Sequence, residues 1–176
     1  MSPVHERVIE VGICLVDDGI LTGEWSTLVN PCKHIPPFIE QHTGITAAMV
    51  RHAPGFEGVI GEIHDLLADR VIVAHNAAFD MGFIKNEFLR CGMTFSQTSL
   101  CTVRLSRTLY PTERRHGLDA LIERYGLPCK NRHRALDDAR ALWHLLRLFV
   151  EDTGEERLHE AARKLLKRAT FHHLKS

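Results

Sequence analysis

Apolar positions alternate between two periods along this chain. Residues 7–16 (RVIEVGICLV) carry Val, Ile and Leu on both faces, which predicts a strand interior to a sheet, interrupted only by Glu10. Asp17-Asp18-Gly19 is a hairpin turn signal, and residues 20–29 form the returning strand, ended by Asn30-Pro31, with Trp25 and Leu28 as packing residues. Pro36-Pro37 keeps 30–37 irregular, residues 38–41 begin a short helix, and Thr46 is a candidate cap for a helical turn at 47–51. Residues 56–68 have the helical period, with Val59, Ile60, Ile63, Leu66 and Leu67 inward. Residues 71–74 (VIVA) are a wholly apolar run, the mark of a strand buried on both faces. The chain leaves it through 75–80 (HNAAFD) into a helix that ends near Cys91-Gly92. Residues 100–103 read as a short strand, followed by helices at 104–109, at 117–125 (closed by Gly126) and from about 135 to 150. A last amphipathic helix spans 155–169, with Leu158, Ala162, Leu165 and Leu166 inward. Its Arg157, Arg163, Lys164, Lys167 and Arg168 make it basic.

An antiparallel pair followed by strands alternating with helices describes an α/β fold with a mixed sheet. A length of 176 residues suits one domain of ordinary size, read as 1–150 with 151–176 as a basic C-terminal helix and tail. Lys plus Arg balance Asp plus Glu at 22 each, so a nucleic-acid partner needs a local patch. The cations at 104, 107, 114, 115, 130, 132 and 134 are candidates for phosphate contact. Five Cys without framework spacing predict a reducing, cytoplasmic compartment, and no apolar run reaches membrane-spanning length.

The chemistry concentrates at two helix starts. In 132–140 (RHRALDDAR), Asp138 falls on the same side of the helix as Leu142, Leu145 and Phe149. Asp137 falls with Arg140 and His144, toward solvent. An inward carboxylate is costly unless it is paired or binds a metal. His133 belongs to the loop entering the helix, leaning over Asp138. Asp80 lies in the first turn after the apolar strand 71–74, on the side of Phe83, Ile84 and Phe88. Taken singly, each aspartate also reads as an ordinary helix-start residue favoured by the dipole. Together, two inward carboxylates suit a hard cation, and a neutral histidine suits proton abstraction. Asn76 reads locally as a helix cap and Phe79 as a core residue. Thr43 and His42 lie in a tight turn. His116 reads as part of a helix entrance.

The runs 73–80 (VAHNAAFD) and 133–139 (HRALDDA) resemble the second and third motifs of the DEDDh 3′→5′ exonucleases, the third in its H-x4-D form. Residues 43–46 (TGIT) and 116–121 (HGLDAL) also match family patterns, and the resemblance, which is similar to the proofreading epsilon type, runs over 2–150. It implies a ribonuclease H-like fold and hydrolysis of phosphodiesters to nucleoside 5′-monophosphates with two divalent cations, Mg²⁺ or Mn²⁺. Asp80 and Asp138 would be metal ligands and His133 the general base. Thr43, Asn76 and Phe79 would meet the substrate, a single-stranded or frayed 3′ end, DNA rather than RNA, with a DNA polymerase as candidate partner and no membrane.

The family's first motif, D-x-E-T-T-G, has no counterpart here. It sits on a central strand between the two matching 7–16 and 71–74. Without that strand both should keep unpaired backbone groups on one side. Three explanations follow: a natural protein that is longer and active, a remnant that binds nucleic acid or a polymerase without cutting, or a strand supplied by another chain.

Overall fold

The computed structural model describes residues 3–172, with side chains described to 166. The chain opens with a hairpin, β1 (Glu10–Asp17) and β2 (Ile20–Leu28), whose turn places Asp18 and Gly19 at φ 50 and 78. Three helices follow: α1 (Pro37–Thr43), α2 (Ala47–Val50) and α3 (Phe56–Leu67). As expected, the Thr46 hydroxyl caps α2 by accepting the Met49 N–H at 3.3 Å. Then come β3 (Ile72–Ala74), α4 (Ala77–Arg90), β4 (Ser99–Cys101) and α5 (Thr102–Leu109). The chain closes with α6 (Leu118–Tyr125), α7 (Ala135–Thr153) and α8 (Glu155–His172).

The four strands form two separate ribbons. Among the described residues, β1 pairs with β2 antiparallel, β3 pairs with β4 parallel, and no ladder joins β1 to β3. The expectation that 7–16 and 71–74 are interior strands is corrected accordingly. Each is paired along one edge only, and Val71 is 48% exposed. The first strand also starts later than its apolar pattern suggests. Residues 7 and 8 leave the ladder because the Arg7 guanidinium and the Val8 N–H both donate to Glu87 on α4. Likewise Thr102 and Val103 join α5 instead of extending β4, with the Thr102 hydroxyl turned back on Ala74.

Apolar burial on both sides of the ribbons holds them in one body. Val11, Val29, Phe56, Val59, Ile63 and Phe88 pack β1 against α3 and α4. Leu105, Leu121, Leu145 and Phe149 bring α5, α6 and α7 together. The inward side of α8 joins this second cluster through Ala161 and Leu165. The expected cations Lys167 and Arg168 lie outside the described side chains.

One close approach sets the position of α7. A Cβ on Gly12 would lie 2.3 Å from the Leu136 nitrogen and 2.4 Å from the Ala135 carbonyl carbon, so only glycine lets this helix start lie on β1. The neighbour Val11 faces the opposite way, into the α3 and α4 layer, as strand alternation requires. Gly12→Ala should therefore lower stability by about 2 kcal/mol or more, because both sides of the clash are backbone. Urea unfolding measures it, and a loss under about 0.5 kcal/mol would show that α7 moves freely on β1.

Candidate active site

The two ribbons are separated by a cleft of about 480 Å³ that runs from Glu6–Ile13 across to residues 72–75. Asp80 on α4 and Asp138 on α7 both line it. The two aspartates singled out at separate helix starts thus face one space.

Asp138 is held by the turn that precedes its own helix. The His133 backbone N–H donates to its Oδ1 at 3.3 Å, and the Arg132 guanidinium pairs with its Oδ2. Arg132 also reaches Asp119 on α6 at 2.5 Å, so a single cation ties two carboxylates across the cleft wall. The costly inward carboxylate is therefore paired. Asp137 corrects the helical-wheel reading. Its side chain is 13% exposed against 26% for Asp138, because the Asn131 N–H, the Asn131 amide and the Arg140 guanidinium close over it at 2.8–3.0 Å. These partners hold its carboxyl below the ordinary range.

Asp80 keeps solvent access through the cleft, yet protein atoms crowd its other side. Lost hydration, with the charge of Asp138 added, pushes its carboxyl up to about 6.

His133 sits at φ 70, a left-handed backbone that a non-glycine residue adopts at some cost. The turn sends its ring outward onto His42, with centroids 3.7 Å apart, while its N–H serves Asp138. Burial, Arg132 and His42 all push the imidazole below its ordinary pKa, toward the neutral form. On the same rim, Thr43 donates to the Ile39 carbonyl at 2.8 Å and accepts the Ile45 N–H at 3.1 Å. Its hydroxyl is thereby committed to the turn that carries His42.

Neither local alternative for α4's start is realised. Asn76 adopts φ 66 and makes no side-chain capping bond, and it stays exposed. Phe79 is 39% exposed beside Phe83, so it is not a core residue. His116 is structural: it is buried, with Ser106 Oγ at 2.8 Å and the Glu113 carbonyl at 3.0 Å from its ring nitrogens. Of the cations proposed for phosphate, Arg132 and Arg134 are engaged with Asp119, Asp138 and Glu10, and Arg115 with Glu123. Arg104, Arg107, Arg114 and Lys130 remain exposed.

Four further residues take part whose partners the sequence did not indicate. Arg132 and Asp119 are 13 residues apart and meet only through α6 and the loop before α7. His75 lines the cleft with Nδ1 2.9 Å from Thr102 Oγ1 and Nε2 buried without a hydrogen-bond partner, and burial takes its pKa down to about 4. Glu10 accepts from Arg134 at 2.7 Å and from the Ala135 N–H at 2.8 Å, so β1 supplies the cap that α7 lacks from its own side chains. The interruption of the apolar pattern at Glu10 marked a residue with a buried task, though not its partner.

Mixed ribbons between helical layers, with two carboxylates at one cleft, define an α/β nuclease-like architecture of the ribonuclease H type. Solved structures share it. The chain superposes on exonuclease X in complex with 5′ overhanging duplex DNA with TM-score 0.72, at 27% identity, over 92% of this chain and 95% of that one. It matches exonuclease I of E. coli in complex with a dA16 oligonucleotide with TM-score 0.75, at 19% identity, over 90% of this chain and 39% of that one, a likeness of fold. Residues 1–146 match the sequence model of the exonuclease family of the RNase T type. The chain belongs to that family. Among curated relatives, it is 39% identical over 160 residues to a Mycobacterium tuberculosis protein described as a bifunctional exonuclease/endonuclease, covering 89% of this chain and 25% of that protein. It is 36% identical to the PolC-type DNA polymerase III of Clostridium perfringens over 88% of this chain and 11% of that protein. It is 37% identical to the 3′-5′ exonuclease DinG of Staphylococcus haemolyticus over 77% of this chain and 15% of that protein. The chain thus spans between about a tenth and a quarter of these relatives.

The raised carboxyl of Asp80 has a stability consequence with a definite sign. The folded state holds the proton to about pH 6 and the unfolded chain only to about 3.8. Above pH 6 ionised Asp80 therefore opposes folding, and the penalty fades as pH falls toward 4. Asp80→Asn should raise the melting midpoint at pH 7.5 by about 1–3 °C, a modest gain because the exposed side is screened by solvent. At pH 4 the gain should vanish. A lower midpoint for Asp80→Asn at pH 7.5 would instead identify a structural helix-start residue.

Proposed function

We propose that this chain is the nuclease domain of a metal-dependent 3′→5′ exonuclease. It hydrolyses phosphodiesters at single-stranded or frayed 3′ ends, DNA before RNA, and releases nucleoside 5′-monophosphates. The observation that carries the reading is the convergence of Asp80 and Asp138 on one cleft, with the His133 N–H on Asp138 and its ring on His42 of the cleft wall. A neutral imidazole accepts a proton from water near physiological pH, the role assigned to His133. Phe79 and Asn76 offer an exposed ring and a free amide at the start of α4, suited to stacking on a terminal base and bonding to it. Thr43 acts through the turn it holds. The PolC-type relatives make a DNA polymerase the first partner to test.

Divalent cations are usual in this family, and Asp80 and Asp138 are the side chains available to ligate them. Among the described residues, however, no three His, Cys, Asp or Glu side chains are grouped to hold an ion. Asp138 is also paired with Arg132. These donors make half of a metal centre, so the chain by itself should bind metal weakly and cut poorly. The same shortfall supports a second reading, a domain that binds nucleic acid or a polymerase without cutting it.

The full-length natural protein, incubated with a 5′-labelled single-stranded oligonucleotide and Mg²⁺ or Mn²⁺, should shorten it stepwise from the 3′ end. Asp138→Ala should reduce cleavage to background. His133→Ala should lower kcat by about 10²–10⁴-fold, the usual scale for a general base. Salt-dependent binding with no shortening would favour the second reading. Degradation from the 5′ end, or full activity of Asp138→Ala, would overturn the exonuclease reading.

A further inference from the structure

An imidazole that acts as a general base is ordinarily aimed by a hydrogen bond to its second ring nitrogen. Among the described residues, neither ring nitrogen of His133 has a hydrogen-bond partner; only its backbone N–H is engaged, on Asp138. That bond and the φ of 70 fix where the side chain leaves the main chain. They leave its two torsions, the second of them broad, free to swing the ring.

What the ring does meet is His42. The two centroids lie 3.7 Å apart with the planes tilted by 32°, the closest ring contact among the described residues. Rings in contact hold a preferred geometry through dispersion and their quadrupoles, so one ring of fixed position can aim another. His42 has that fixed position. It stands in the last turn of α1, which buried Ile39 and Ile45 anchor in a cluster with Ile35 and Val50. Glu40 accepts the Ala47 N–H at 2.7 Å and ties α1 to the start of α2. Together with the two Thr43 hydroxyl bonds, these contacts pin the turn. His42 itself is exposed, so core packing does not account for it.

We infer that His42 is a positioning residue for His133: its ring sets the angle at which the imidazole stands against the cleft wall. His42 acts through His133 and not on the reacting atoms. The inference rests on the nuclease reading, which takes His133 as the base. The contact is made by the ring face, so it requires a ring at position 42 and neither a charge nor a hydrogen bond.

The test has two arms. The first reads the stack itself by NMR on the 176-residue chain, without metal or nucleic acid, at about pH 8, above the histidine range. Stacked rings shield each other's protons. The His133 ring-proton signals, assigned by their loss in His133→Gln, should therefore move downfield in His42→Ala and stay upfield in His42→Phe. The second arm follows shortening of a 5′-labelled single-stranded oligonucleotide by the full-length natural protein with Mg²⁺ or Mn²⁺. There His42→Ala should lower kcat by about 3–10-fold with KM unchanged, the scale on which one ring pair holds an orientation, and His42→Phe should restore most of it. His133 signals that stay in place in His42→Ala, or an unchanged kcat, would overturn the inference while the nuclease reading stands. So would a raised KM with kcat intact, which makes His42 a substrate contact. If no protein shortens the oligonucleotide, the nuclease reading falls and the positioning role with it, whatever the spectra show.

Discussion

The structure depends on how β1 is held without a strand on its open side. Two carboxylates do this work in opposite directions. Glu87 on α4, 1% exposed, takes Arg7 and the Val8 N–H and fixes the entry to the strand. Glu10, on the strand itself, takes Arg134 and the Ala135 N–H and fixes the start of α7. Buried carboxylates are costly unless paired and hydrogen-bonded, and each here has both a guanidinium and a backbone donor. Gly12 completes the second contact by letting the helix backbone lie directly on the strand. Because α7 carries Asp138 and follows the strained turn at His133, the same contacts that hold β1 also aim the site.

That coupling explains why the candidate site is ordered although the sheet beside it is divided. The left-handed turn at His133 turns its N–H onto Asp138 while its ring rests on His42. Arg132 then locks Asp138 to Asp119 and draws α6 into the same wall. Across the cleft, β3 delivers Asp80 through a second left-handed residue, Asn76. Positive φ at residues other than glycine recurs at both entrances, where backbone strain is tolerated because surrounding packing over-determines it. The cleft between the two ribbons is also the space that the two aspartates face.

Much of this was legible in the residues, for physical reasons that can be named. Periodicity located the longer helices because an amphipathic helix must turn one side to the core, and a proline pair and a cap signal marked the two short ones. The motif runs at 73–80 and 133–139 identified the two helix starts because an inward carboxylate is rare and expensive. Other readings failed where partners came from far along the chain. Asp137 seemed solvent-facing on its wheel, yet Asn131 and Arg140 cover it. Phe79 has core-like chemistry, yet it is exposed at the mouth of the cleft, to which its helix start brings it.

What the sequence determined by itself is the local content: which segments are helices and strands, and which family the motifs belong to. Only the tertiary structure decided the pairings: Arg132 between Asp119 and Asp138, His133 on His42, Glu10 as the cap of α7, and the cleft that Asp80 and Asp138 share. The reason is range. Period and propensity act over a few residues and are written in neighbouring positions. Ion pairs and strand edges join residues 13 to 125 positions apart, and that distance leaves no trace in a one-dimensional pattern.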